Sequence, residues 1–162
     1  MALTIRTATQ ADLESVTRVE AACFPPAEAA TREDFMGRLA AYPGHFWLLF
    51  DGDELVSFVN GMVTQEADLA DEMYDNAELH NENGPWQMIF GVDTRPAYRR
   101  RGCAQLLLER VIADARDQGR KGLVLTCKEH LLHYYAKFGF VSEGMSQSVH
   151  GNVQWYQMRL TC

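Results

Sequence analysis

Apolar residues recur along the chain at two different spacings, and the switches between them predict an order of elements. Leu3 to Arg6 reads as a short first strand. From Asp12 the spacing lengthens to that of a helix, with Leu13, Val16, Val19 and Cys23 on one face, and the run stops at Phe24-Pro25-Pro26. Thr31-Arg32-Glu33-Asp34 caps a second short helix through Phe35, Leu39 and Ala40. The runs 45–50 and 54–60 flank Asp51-Gly52-Asp53, a hairpin signal. The polar stretch 66–85 reads as a long loop with a helical turn around 67–74, and 88–93 has the composition of a buried strand. Residues 101–118 carry apolar side chains at 104, 107, 108, 111, 112 and 115, an amphipathic helix closed by Gly119. A strand over 123–126, a short helix over 129–138 ending at Gly139, and final strands over 140–142 and 153–160 around a turn at Gly151-Asn152 complete the chain. The order β-α-α-β-β-β-α-β-α-β-β predicts an α/β fold, a mixed and mostly antiparallel central sheet flanked by helices.

Composition narrows the class. The 162 residues are 47% hydrophobic, which predicts one domain over 1–162 with a sizeable core. No run approaches about 18 apolar residues, so no membrane span is expected. The first residues lack the pattern of a secretory signal. Cys23, Cys103, Cys127 and Cys162 are far apart with no CxxC pair, and read as reduced thiols of a cytoplasmic protein, with neither disulfides nor a metal site. A net charge of −7 argues against nucleic acid as a partner. The charges are also segregated. Residues 39–94 contain eleven Asp and Glu and no Lys or Arg, whereas 95–121 contain eight basic residues against three acids. That division suits a cationic ligand on one side and an anionic one on the other.

The anionic ligand has an evident address. The turn after the 88–93 strand reads Tyr98-Arg99-Arg100-Arg101-Gly102-Cys103-Ala104 and leads straight into a helix. A helix N-terminus already carries unpaired N–H groups and about half a positive charge. Three arginines there cost stability unless a polyanion completes the site, and Gly102 with Ala104 lets backbone amides approach a phosphate closely. The spacings GxxxxGK[ST] and GxGxxG are absent, which disfavours nucleoside triphosphates and dinucleotides.

Arg99-x-x-Gly102-x-Ala104, preceded by Pro96 and Tyr98, resembles motif A of the GNAT acyl-CoA N-acyltransferases. Tyr135-Ala136-Lys137-Phe138-Gly139-Phe140 resembles the close of their motif B, and the two signatures stand about 30 residues apart. Residues 127–140, the 149–155 stretch and Glu20-Ala21-Ala22-Cys23-Phe24 are similar to the arylalkylamine (serotonin) N-acetyltransferases within that superfamily. The resemblance implies a GNAT-like sheet, splayed where acetyl-CoA inserts, and an enzyme that moves acetyl directly from acetyl-CoA to a primary amine, a small (aryl)alkylamine or polyamine. It implies pantetheine pairing beside Phe90, Gly91 and Val92, and pyrophosphate on the turn of Arg99, Arg100, Arg101, Gly102, Cys103, Ala104 and Gln105. It also implies Tyr135 as general acid to the leaving thiolate, and Phe24, Val153 and Trp155 as walls of the amine pocket. The charge pattern of this chain has the amine enter as a cation from the acidic 66–82 stretch.

One departure matters. The arylalkylamine enzymes have two proton-relaying histidines where this chain has Trp86 and Met88, which cannot titrate. His80 and Glu82, or an ordered water, are then the candidates to take the amine's proton. Two other readings stay open: an acceptor that is a protein or peptide, and a CoA-binding module without catalysis. Exposed sheet edges leave room for a homodimer.

Overall fold

The computed structural model describes residues 2–162. The first half follows the predicted order: β1 (Leu3–Thr7), α1 (Leu13–Cys23), α2 (Arg32–Ala41), β2 (Phe46–Asp51) and β3 (Glu54–Asn60). Local signals account for it. Thr31 accepts the Asp34 N–H while the Asp34 carboxylate accepts the Thr31 N–H, a capping box that starts α2. Gly52, at a φ of +61°, turns β2 back into β3. The second half adds β4 (Val63–Thr64), the one-turn helix α3 (Glu72–Asp75), β5 (Trp86–Ile89), β6 (Gly91–Thr94), α4 (Cys103–Asp117), β7 (Gly122–Cys127), α5 (Leu132–Ala136), β8 (Val141–Met145) and β9 (Tyr156–Thr161). The acidic loop is thus shorter in helix than expected, its helical turn starting only at Glu72, and a two-residue strand precedes it.

The expected strand over 88–93 is in fact two, and the correction is the most informative feature of the fold. β6 closes a four-stranded sheet in the order β1-β2-β3-β6, and β5 belongs to a five-stranded sheet in the order β4-β5-β7-β9-β8. Every neighbouring pair is antiparallel except β5 with β7. On one side, β3 and β4 run along β6 and β5, with the Phe90 N–H bonded to Asn60 O (2.7 Å) and the Met88 N–H to Met62 O (2.8 Å) across the join. Between the pairs Asn60–Gly91 and Val63–Gln87, however, one chain advances three residues and the other four. That extra residue is a bulge, which bends a strand. On the other side, β7 stays paired only as far as Ile89–Leu125 and then leaves β6 with an open edge.

The helices cover both faces. Val16, Val19, Phe35 and Leu39 of α1 and α2 pack with Phe46, Leu48 and Phe58. Leu107, Leu108 and Val111 of α4 pack with Trp47, Leu49, Val56 and Val59 on the opposite face. This explains why β2 and β3 read as nearly continuous apolar runs rather than alternating ones. One polar side chain supports the bend. Gln87 is fully buried and donates from its amide to Gly61 O (2.8 Å) and Met88 O (2.7 Å). Gly61 passes so close that a Cβ there would stand 1.9 Å from Met88 O. No described helix is long and apolar enough to cross a membrane.

Candidate active site

Where β6 and β7 part, a cavity opens between Phe90, Gly91 and Val92 on one side and Leu125, Thr126 and Cys127 on the other. Its walls are aromatic. The Tyr74 ring stacks on His150 (centroids 5.0 Å apart, planes at 15°) and meets Phe90 at 4.8 Å, while Phe24 and Trp155 close the outer end. The segment after β8 is pinned over this end. His150 Nε2 lies 2.8 Å from Glu28 O, Trp155 donates its indole N–H to His150 O (2.8 Å), and Lys128 pairs with Glu28 at 2.8 Å. Burial pushes the Tyr74 phenol up to about 12.

A second hollow continues the gap toward the N-terminus of α4, lined by Cys23, Val92, Thr94, Arg99, Ala104 and Tyr134. Phe24, Val92, Leu131 and Tyr135 border both spaces. Tyr135 therefore stands at their junction. It is buried, its phenol is pushed far above the ordinary tyrosine value by that burial, and its hydroxyl has no hydrogen-bond partner among the described residues. The group is a fully protonated phenol that has not committed its proton elsewhere.

The arginine-rich turn lies at the far end of the second hollow. Arg100 (φ +63°) and Gly102 (φ +79°) both adopt the left-handed conformation, and no side-chain bond caps α4. A left-handed residue beside a right-handed one turns successive N–H groups to one side, the arrangement of an anion-binding nest. A Cβ at Gly102 would meet nothing within 4 Å, so the approach to the turn is open. Arg99 Nε and the Cys23 thiol both donate to Thr94 O (3.2 and 3.3 Å), which ties the end of α1 to the start of the turn. Arg101 lies over the Tyr98 ring, and Tyr98 donates its hydroxyl proton to Asp51 at 2.9 Å.

Beneath the cavity is a polar floor that sequence reading missed. Glu20, Arg38, Asn60 and Asp93 are all buried, with exposures of 6%, 3%, 1% and 0%. Arg38 donates to Asn60 Oδ1 (2.9 Å) and Tyr74 O (3.0 Å). Four carboxylates line the cavity, namely Glu20, Glu28, Asp34 and Asp75, and only Asp75 comes from the 66–82 stretch expected to supply them. A signal did exist. Glu20 occupies the apolar stripe of α1 and Arg38 that of α2, where an unpartnered charge is costly.

Of the predicted side chains, the structure brings together Phe24, Phe90, Gly91, Val92, Tyr135 and Trp155, while Val153 does not line the cavity. His80 and Glu82 stand apart from it, in a cluster of their own. Glu82 accepts from Arg120 (3.0 Å) and lies 3.0 Å from both His45 Nε2 and His80 Nε2. His80 Nδ1 accepts the Val63 N–H at 3.0 Å, which fixes the proton on Nε2, facing Glu82. By ligand type the trio His45, His80 and Glu82 suits a metal, but that tautomer leaves His80 Nε2 a donor and Arg120 already holds the carboxylate. Burial lowers the His80 pKa below its ordinary 6.5. Burial works against the Glu82 charge, yet the hydrogen bonds to His45 and His80 hold its carboxyl below the usual 4.5. Both groups bind fewer protons folded than unfolded on the acid side of those values, so stability is lost there as the pH is lowered. The expected result is a Tm that declines from pH 6.5 downward and then through the carboxylate range. In His80→Gln the decline between 6.5 and 4.5 flattens, which thermal melts across pH will check.

The open-edged β6, the bent strand and the glycine turn feeding α4 are features of a mixed α/β fold that known proteins share. The model of the acetyltransferase (GNAT) family matches residues 13–140, so this chain belongs to that family. A comparison with curated protein sequences found no match. Among solved structures, the GphF GNAT-like decarboxylase in complex with isobutyryl-CoA superposes with a TM-score of 0.84 at 21% identity, over 98% of each chain. The ribosomal-protein-S18-alanine N-acetyltransferase of Escherichia coli gives 0.75 at 17%, over 98% of this chain and 93% of that one. The PaiA N-acetyltransferase of Thermoplasma acidophilum in complex with coenzyme A gives 0.74 at 14%, over the whole of both. At these identities the likeness is one of fold.

Proposed function

We propose that the chain is an acetyl-CoA-dependent N-acetyltransferase whose acceptor is a small primary amine, an arylalkylamine or polyamine. The observation that carries this reading is the placement of Tyr135 at the junction of two spaces of opposite character. One leads to the arginine-rich turn, and the other is lined by four carboxylates and a ring of aromatic side chains. The open edge of β6 offers N–H and C=O groups of Gly91 and Val92 to an extended amide-bearing chain, which suits pantetheine. The residues at the turn fit a pyrophosphate for the reasons given above: unfilled amides, positive charge and no side chain at Gly102. The acid-lined cavity favours a cation over a carboxylated acyl group, and its aromatic wall favours an apolar body.

In this reading strand N–H groups orient and polarise the thioester carbonyl, the amine attacks it from the carboxylate side, and Tyr135 gives a proton to the departing sulfur. Acetyl-CoA consumption by thiol release across tryptamine, phenethylamine, spermidine and short peptides tests the proposal. Turnover of the aromatic amines supports it, turnover of spermidine alone narrows it to polyamines, and turnover of peptides alone overturns the acceptor. Gly102→Val probes the turn. A branched side chain at positive φ costs about 1–2 kcal/mol, and its bulk closes the amides to phosphate. The KM for acetyl-CoA is expected to rise about tenfold or more, with the Tm lowered by about 2–8 °C.

A further inference from the structure

Three polar side chains from three elements converge on Gly91. From the point where a Cβ would stand, Asp93 Oδ1 lies 3.0 Å away, Asn60 Nδ2 3.7 Å and Glu20 Oε1 3.9 Å. Gly91, Asn60 and Glu20 line the cavity, and Asp93 lies fully buried behind them. Glu20 Oε2 accepts the Ala30 N–H at 2.8 Å. Glu20 Oε1 and both Asp93 oxygens have no donor among the described residues, and nor does Arg38 Nε have an acceptor. Two ionised carboxylates cannot stay side by side in such a place without donors, but a single proton between them supplies one. Burial and the neighbouring Glu20 push the Asp93 carboxyl well above the usual range. The other groups facing the pair are Cys23 on α1, Arg38 on α2, Tyr74 on α3 and Tyr135 on α5. Burial raises the thiol and both phenols, so at neutral pH Arg38 is the charge beside the pair.

We propose that the Glu20–Asp93 pair is the proton acceptor for the amine, with Glu20 Oε1 as the receiving atom and Asp93 as the group that orients it. The proposal rests on the acetyl-transfer reading above. A primary amine enters as an ammonium ion, whose nitrogen has no lone pair to attack with. The ammonium loses one proton to the Glu20 carboxylate, and the freed pair forms the bond to the thioester carbon. The C–S bond breaks, the sulfur takes the Tyr135 proton, and the nitrogen's second proton is released as the amide forms and restores the tyrosine through solvent. Glu20 returns its proton to water when the product leaves. The residues that the family resemblance offered for this task, Trp86 and Met88, cannot titrate, and His80 and Glu82 do not line the cavity.

Two measurements test the pair. Infrared difference spectra of wild type against Asp93→Asn, without substrate at pH 7, should show the carbonyl band of a protonated carboxylic acid that the variant lacks. No such band overturns the proposal, whatever the acceptor. In Glu20→Gln, kcat with the best amine of the panel should fall about a hundredfold or more, with the acetyl-CoA Kd and the fold retained. The residual rate should rise tenfold per pH unit as free amine accumulates in solution. A kcat within threefold of wild type and an unchanged pH profile overturn the pair and leave acetyl transfer standing. Wild-type protein that binds acetyl-CoA and acetylates nothing in the panel overturns the transfer reading, and this proposal with it.

Discussion

Replacing Tyr135 by phenylalanine is expected to lower kcat for acetyl transfer by about 10²–10⁴-fold, the usual worth of a positioned acid, and to leave acetyl-CoA binding unchanged. The ring remains and keeps its contacts with Tyr134 and Phe140, at centroid separations of 5.1 and 6.1 Å. Only the hydroxyl goes, and it holds no protein partner that would be stranded by its loss. The Tm should therefore stay close to that of wild type, which separates a catalytic effect from a structural one. The proposed role also fixes where the loss falls. An acid that acts only as the C–S bond breaks contributes nothing to ground-state binding, so kcat and kcat/KM should drop together. A kcat within threefold of wild type would exclude Tyr135 as the acid.

The second large effect concerns the bend. Gly61→Ala would place a methyl carbon 1.9 Å from Met88 O and 2.6 Å from Met88 C. Both are backbone atoms of a buried strand, so no side chain can swing away to make room. Either β5 moves off β4 or the bulge unravels, and each sacrifices ladder hydrogen bonds next to Gln87. The expected cost is about 3 kcal/mol or more, at the upper end for overpacked cores, equivalent to a Tm lower by about 6–12 °C in a chain of this size. Denaturant and thermal melts will measure it. A Tm within 2 °C of wild type, on the scale of about 2–4 °C per kcal/mol, would mean the two strands do not pass as closely as described.

The parts of the molecule that were legible in the sequence are those whose cause is local. The spacing of Leu107, Leu108 and Val111 declares α4, Thr31 and Asp34 declare the start of α2, and Gly52 declares the hairpin. The split of 88–93 was not legible, because a bulge is defined by how many residues its partner strand spends beside it. The candidate site residues divide the same way. The turn and Tyr135 stand in contiguous motifs. Glu20 and Asp93 acquire meaning only when α1 and β6 are laid together over Gly91, and neither flank of either residue announces the other. The acidic 66–82 stretch misled for a related reason. Charge density along the chain is not charge density around a cavity, and three of the four lining carboxylates come from residues before 39.

Gln87 gives the bulge a consequence beyond the bend itself. A bulge turns carbonyls out of the ladder, and a buried orphan of that kind is expensive. Here one amide group answers Gly61 O and Met88 O together, while its own oxygen faces His45 Nδ1 at 2.9 Å. The side chain plays the part of a missing stretch of backbone. The bend is therefore held from inside the chain, by one side chain standing in for a rung of the ladder.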